Sequence, residues 1–375
     1  MAHIQDRGRD HKLRWQARYR DPSSRERSRT FERRIDADRF LISVESAKLD
    51  GGYVDPRAGR VTFREYAEDW RGRQLWREST ATRIESDLRN HLYPAIGGMA
   101  LSGVRPSDLD VLVKSLAGRL APSTVEGVYR LAATVFKSAI RDRLITVTPC
   151  VDVKLPEKPR REVVPLTVDQ VVEVADLMPD RYRALIVLGA GTGLRLSEAL
   201  GLTLDRVEFL KRKVTVDRQL VGVEDGDPRF GPPKRAASNR VVPLPETVAV
   251  SLSRHLEKYG EGPDRLIFTN ATGRSIYRTS FSSIFRRAAD EVGIAKGDGF
   301  HELRHHYASL LISSGCSVTV VQKRLGHATA QETLDTYSHL WPDDDEKTTY
   351  AVDSVLGPAL TRNDRGMEGS EGASK

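Results

Sequence analysis

The sequence predicts a mixed α/β protein that is mainly helical. Three observations carry this. Period-two alternation of apolar residues is confined to a short stretch, 11–20. Longer stretches carry apolar side chains at helical spacing behind Ser, Thr and Asp residues that suit helix N-caps. A segment with four prolines, 149–166, breaks the pattern where regular structure cannot continue. With 375 residues, 39% of them hydrophobic, the chain is long enough for two or three domains with real cores.

Residues 11–20 place Leu13, Trp15, Ala17 and Tyr19 at period two, with mostly cationic residues between them. That pattern is a half-buried strand with a basic face. A turn at Asp21-Pro22-Ser23-Ser24 leads to a second strand near 27–32. Asp36 suits the cap of a helix over 37–49, which Gly51-Gly52 ends. Residues 1–60 thus form a small sheet-plus-helix domain. Residues 61–150 form a helical domain, with helices near 63–76, 80–92, 107–117 and 122–142. Thr62 with Glu65, and Ser123 with Glu126, have capping-box spacing. After the 151–166 linker, Thr167 caps a helix over 168–178. The third domain, 167–345, is α-helical with a small antiparallel sheet. Its strands are expected near 213–221, 240–243 and 265–268. Its helices are expected near 180–191, 196–202, 246–258, 279–292, 301–314, 317–325 and 330–338. The tail, 346–375, is rich in Gly, Ser and Glu past Leu356 and is expected to be partly disordered.

The formal net charge is +7, which favours a polyanionic partner. Residues 1–60 carry 15 Lys/Arg against 10 Asp/Glu, whereas 341–375 carry 4 against 8. Cys150 and Cys316 are the only cysteines and form no CxxC, so no cysteine metal framework or disulfide scaffold is expected. The N-terminus is polar and basic with no apolar signal region, and the longest apolar run, Ala184–Ala190, is too short to span a bilayer. No membrane partner is expected, and the location expected is the bacterial cytoplasm.

The chemistry concentrates in the last third. Arg195 lies in Thr-Gly-Leu-Arg-Leu-Ser-Glu (192–198), where Glu198 can hold a guanidinium in place. Lys234 stands in Pro-Lys-Arg-Ala-Ala-Ser-Asn-Arg-Val-Val-Pro-Leu (233–244), with Arg235 an adjacent competitor. His301 and Arg304 share a helical face in His-Glu-Leu-Arg-His (301–305). His327 ends Leu-Gly-His (325–327), and Tyr337 follows in Thr-Tyr-Ser-His (336–339). One phenol, three cations and two imidazoles suit attack on a phosphodiester. The phenol is a nucleophile that can also leave, since its pKa is about 10. Guanidinium binds phosphate oxygens bidentately. Imidazole and ammonium donate or relay protons.

This order and spacing resembles the tyrosine recombinase (phage integrase) family, over roughly 11–345. The resemblance implies that Tyr337 is the nucleophile, that Arg195 and Arg304 clamp the phosphate, and that His301 and His327 donate to its oxygens. It implies further that His301 relays the Tyr337 proton and that Lys234 is the general acid. It makes 1–60 an arm-type DNA-binding domain, 61–150 a core-binding domain and 167–345 the catalytic domain. The reaction implied is a site-specific recombination of double-stranded DNA through a 3′-phosphotyrosyl intermediate, with no cofactor and no metal. A homotetrameric synapse is implied, with tail segments 343–346 and 350–356 packing on a neighbouring protomer. A host DNA-bending protein and an excisionase are further partners implied. Integration and excision of a phage or other mobile element is implied, rather than resolution of chromosome dimers. A type IB topoisomerase shares the chemistry and is the alternative. His301-Glu302-Leu303-Arg304-His305 also matches H-E-x-x-H, so a zinc hydrolase is the outside alternative. Positions 308 and 311, Ala and Leu, lack the longer zinc-protease extension.

Overall fold

The computed structural model describes residues 2–8, 11–22, 24–49, 52–55, 57–159, 162–233, 236–294, 299–341 and 345–367. The chain divides into two units, Met1–Arg160 and Arg161–Lys375.

The first unit opens with an antiparallel sheet of β1 (His3–Asp6), β2 (Trp15–Arg20) and β3 (Glu26–Phe31), in that order, packed on α1 (Arg34–Leu49). Ala17 and Tyr19 are buried on the helix side, where Tyr19 meets Phe40 and Tyr53 edge-on. By register, Gln16 and Arg18 lie opposite Thr30 and Ser28 on the other face. β1 pairs with β2 although its sequence, His-Ile-Gln-Asp, has too little alternation to announce a strand. Leu13 precedes the strand and is exposed. Asp36 is not a cap: α1 starts two residues earlier, and Asp36 sits in its first turn, ion-paired to Arg33 at 2.8 Å.

The rest of this unit is helical. It comprises α2 (Phe63–Gly72), α3 (Glu78–Asp87), a π-turn at Leu88–Leu92, α4 (Tyr93–Ile96), α5 (Pro106–Ala117) and α6 (Pro122–Arg141). The Thr62/Glu65 capping box forms, with the Glu65 N–H on Thr62 Oγ1 at 3.2 Å. The Ser123/Glu126 box does not. Pro122 takes the first helical position, where its fixed φ suits it, so Ala121 becomes the cap and Ser123 lies inside the helix. Glu126 pairs instead with Arg130 and Lys158. Phe63, Leu92, Leu109, Val135 and Phe136 lie at the centre of this core.

The second unit begins with α7 (Val168–Leu177), capped by Thr167 through a box with Gln170. Then come α8 (Asp180–Thr192), α9 (Leu196–Leu200), β4 (Val207–Glu208), β5 (Lys213–Val216), β6 (Gln219–Glu224), β7 (Asp227–Gly231) and β8 (Arg240–Pro243). α10 (Glu246–Tyr259), α11 (Arg278–Glu291), α12 (His301–Ser313), α13 (Val318–Leu325), α14 (Ala330–Tyr337) and α15 (Asp345–Met367) complete it. β4, β5 and β8 form one small antiparallel sheet, and β6 and β7 form a separate hairpin. The expected strand over 213–221 is therefore two strands with different partners. The expected strand at 265–268 is a 3-10 turn, Pro263–Arg265, followed by a buried apolar run with a single bridge, Leu266 to Thr203. Burial, not strand pairing, accounts for that run. The tail continues as helix through Met367, and its described side chains are exposed. Leu185, Leu188, Val214, Val242, Phe268, Phe281 and Leu303 build the core that carries the site. Residues 163–166 are tied to this unit by His306 Nδ1 on Leu166 O (2.6 Å) and His339 Nε2 on Val163 O (2.8 Å). Among the described residues no helix is long and apolar enough to cross a membrane.

Candidate active site

The site is assembled from helix ends, the start of α12 and one strand. α8 ends at Gly193 in the left-handed conformation (φ 63°), and a Cβ there would lie 2.4 Å from the Tyr307 ring. Glycine is required on both counts. The turn delivers Arg195 as the N-cap of α9. Glu198, three residues on, accepts both the Arg195 backbone N–H and its Nη1–H, each at 3.0 Å. The sequence expectation that Glu198 steadies a guanidinium holds.

Glu198 also receives a second arginine that the sequence reading missed. Arg240 faces inward from β8 and is buried. It donates from Nη2 and Nη1 to the Glu198 carboxylate at 2.8 and 3.2 Å, and from Nε to Arg324 O at 2.8 Å. Burial pushes the Glu198 carboxyl up, but the Arg240 hydrogen bonds and the charges of Arg240 and Arg195 outweigh it, leaving it below the usual range. Arg240 and Val242 share the inward face of Arg-Val-Val-Pro, and a charge there requires a buried partner.

Arg304 comes from the first turns of α12 and is 1% exposed. Its Nη1 donates to Gly193 O (2.8 Å) and its Nη2 to Leu325 O (2.6 Å), while its Nε has no partner among the described residues. Burial, then the nearby charges of Arg195 and Arg240, push its pKa down to about 9. A buried cation with a spare donor, beside two more guanidiniums, is a strong site for an anion.

Gly326, in the left-handed conformation (φ 68°), ends α13 and turns the chain to His327. His327 Nδ1 meets Thr333 Oγ1 at 2.9 Å, and its ring lies parallel to that of Tyr337 with centroids 6.4 Å apart. Tyr337 closes α14 and is 1% exposed. Its hydroxyl is 2.8 Å from His305 Nδ1. His301 stacks edge to face on His305 at 4.8 Å. Burial, reinforced by the Arg304 charge, pushes the pKa of His301 down to about 3 and that of His327 to about 4, so both are neutral at physiological pH. Burial raises the Tyr337 phenol to about 12, with the Arg304 charge opposing it.

Five of the six sequence-selected residues, Arg195, His301, Arg304, His327 and Tyr337, therefore meet in one cluster. Lys234, and Arg235 beside it, lie outside the described residues. The ends of their loop are fixed near the cluster: Pro232 O accepts from Gln219 Nε2 at 2.9 Å, and Ser238 Oγ lies 3.5 Å from Arg195 Nη1. His305, weighed in the sequence only as half of H-E-x-x-H, is the residue at the phenol. Among the described residues no group of three or more His, Cys, Asp or Glu is placed to hold a metal ion.

The phage integrase family matches residues 165–343, and the phage integrase central domain matches residues 63–155. The chain belongs to the phage integrase family of tyrosine recombinases, and it is a site-specific recombinase. It is 27% identical over 339 residues to a putative prophage phiRv2 integrase of Mycobacterium tuberculosis, covering 87% of this chain and 88% of that protein. It is 30% identical over 245 residues to the tyrosine recombinase XerD of the same species, covering 63% of this chain and 73% of the relative. Its fold is similar to that of the Tn1549 transposon integrase in complex with circular intermediate DNA (TM-score 0.67, 22% identity, 79% of this chain and 99% of that one). It is also similar to that of a lambda integrase tetramer bound to a Holliday junction (TM-score 0.59, 18% identity, 88% and 93%).

Proposed function

We propose that this protein is the integrase of a phage or other mobile element, and that Tyr337 is its nucleophile. The observation that carries the reading is the clustering of Tyr337 with imidazoles and a buried arginine: its hydroxyl meets His305, its ring stacks on His327, His301 packs on His305, and Arg304 holds a spare donor. A phosphodiester seated there would receive positive charge and hydrogen bonds from Arg195 and Arg304 on its non-bridging oxygens. His301 and His327 are neutral, so each can donate one ring N–H without adding a charge that the buried site must solvate. Tyr337 Oη attacks phosphorus, the bond to the 5′ oxygen breaks, and Lys234 supplies the proton to that oxygen. The 3′-phosphotyrosyl bond keeps the phosphodiester's energy, so a 5′-hydroxyl from a partner duplex can reverse the step without ATP.

Tyr337 is nearly inaccessible, so DNA binding must uncover its hydroxyl before attack. That requirement supports a synapse-dependent enzyme, which we take to be a homotetramer on two attachment sites in the cytoplasm. The prophage and phage relatives support the mobile-element role. We assign arm-site binding to the sheet of residues 1–60, whose face away from α1 presents Gln16, Arg18, Ser28 and Thr30. Residues 61–150 would grip the core site. A host DNA-bending protein and an excisionase would set direction. The test is a supercoiled plasmid carrying the element's two candidate attachment regions, incubated with protein in EDTA. Recombinant circles are expected. Relaxation without recombinants would favour the topoisomerase reading and contradict this one.

A further inference from the structure

We propose that His305 is a further catalytic residue: its Nδ1 takes the phenolic proton of Tyr337 during attack and returns it when the phosphotyrosyl bond is resolved. The inference rests on Tyr337 being the nucleophile and adds the question of where its proton goes.

The geometry points to His305 rather than His301. Among the described residues the hydrogen bond at Tyr337 Oη is made by His305 Nδ1, at 2.8 Å, within the range for proton transfer. The two rings meet edge to face with centroids 5.6 Å apart. His301 packs against the far ring of this pair. His305 is buried and sits on α12 next to Arg304, so the helix that carries the phosphate clamp also carries the base. Rigid placement on one helix fixes base and clamp together.

A base is needed. Burial holds the phenol near 12, so few molecules carry phenolate at neutral pH. In the DNA-free protein bulk water has little access to a side chain 1% exposed, and a seated phosphodiester would cover the hydroxyl again. A neighbouring imidazole supplies the acceptor that water cannot. The step balances as follows. With the ring hydrogen on Nε2, the Tyr337 O–H donates to Nδ1. As Oη bonds to phosphorus, the proton moves to Nδ1 and leaves an imidazolium. The bond from phosphorus to the 5′ oxygen breaks, and that oxygen takes a proton from the general acid. In the return step the incoming 5′-hydroxyl gives its proton to that acid's conjugate base. The bond from phosphorus to Oη breaks, and His305 gives its proton back to Oη. Charge and protons are restored after each cycle. The imidazolium forms only while the phosphate is in place, so the anion stabilises it beside Arg304.

The test is the single-turnover rate of covalent adduct formation by the full chain on a nicked suicide duplex carrying its recombination site. The variants are His305→Asn and His305→Gln, both of which keep a hydrogen-bonding side chain but hold no proton. Each is paired with ordinary tyrosine or 3,5-difluorotyrosine at position 337, the latter a much more acidic phenol. With tyrosine, loss of the base should slow cleavage by about 10²-fold or more. With difluorotyrosine, the gap between variant and wild type should shrink by about tenfold or more, because a phenol already close to ionised needs less base. Melting curves identify which variant is folded, and the ratio is taken from that one. An equal loss with both phenols would make His305 a positioning residue only. Wild-type rates in the variants would make the contact a resting-state latch. Either outcome overturns the proposal while leaving Tyr337 as nucleophile. The reading of Tyr337 itself fails separately, if Tyr337→Phe still forms the adduct.

Discussion

Glu198 is the residue whose loss the structure prices most clearly. It is 3% exposed and bridges Arg195 and Arg240. Glu198→Ala would leave the Arg240 guanidinium, itself buried, without a counter-charge. Removing one partner of a buried ion pair costs about 3–5 kcal/mol. In a unit of this size each kcal/mol lowers Tm by about 2–4 °C, so the second unit should melt about 6–20 °C lower. Scanning calorimetry on the full chain reads this directly. Replacing both partners with apolar residues, Glu198→Leu with Arg240→Met, should recover most of that loss. It should not recover cleavage, because Arg195 loses the carboxylate that orients it. The pH dependence has a defined sign. The folded-state pKa of Glu198 lies below its unfolded value of about 4.3, so its contribution is complete above that value and fades as pH falls through the folded pKa. Melting temperatures of wild type and Glu198→Gln should therefore differ most near neutrality and converge on strong acidification. An unchanged Tm in Glu198→Ala, or additive losses in the double variant, would refute the buried-bridge account.

Arg304→Ala should slow single-turnover cleavage by about 10²–10³-fold, the scale for one preorganised donor. Arg304→Lys should not restore it, since an ammonium cannot reach Gly193 O and Leu325 O together and still offer a third donor; full rates in either variant remove Arg304 from the clamp. Lys234→Ala should cleave a strand with sulfur as the bridging 5′ atom far better, relative to wild type, than the ordinary strand, because a thiolate leaves without a proton. An equal defect on both substrates would pass the acid's role to Arg235 or a histidine. Deleting residues 1–60 should spare cleavage of a short core-site duplex but abolish recombination of full attachment sites. The isolated fragment should bind DNA with a log K slope of about −0.9 per phosphate contacted, and its failure to bind at low salt would withdraw the arm-site assignment.

The helical periodicity and the Thr62 and Thr167 capping boxes made most of the helices legible, because those signals are local and independent of partners. The sheets were less legible. β1 has four polar-rich residues and forms only because β2 offers a free edge, and 213–221 splits because its halves pair with different strands. In the site, motif order picked out Arg195, His301, Arg304, His327 and Tyr337, which do converge. It did not show Arg240, whose role depends on a carboxylate 42 positions away, nor His305, whose partner lies 32 positions on. A helical face at i, i+3 identifies neighbours of Arg304, but which imidazole reaches the phenol depends on how α14 crosses α12. Spacing alone carries no information about that crossing.

The nucleophile itself is open to direct chemical mapping. Protein trapped on a nicked suicide duplex is digested with nuclease and trypsin, and the nucleotide-bearing peptide is sequenced by mass spectrometry. Cleavage after Arg324 and Lys347 releases residues 325–347, which contain a single tyrosine. The account predicts a 3′-linked nucleotide on Tyr337 in that peptide, and its absence from the Tyr337→Phe protein. A nucleotide on any other residue, or an adduct that survives the Phe substitution, would contradict it.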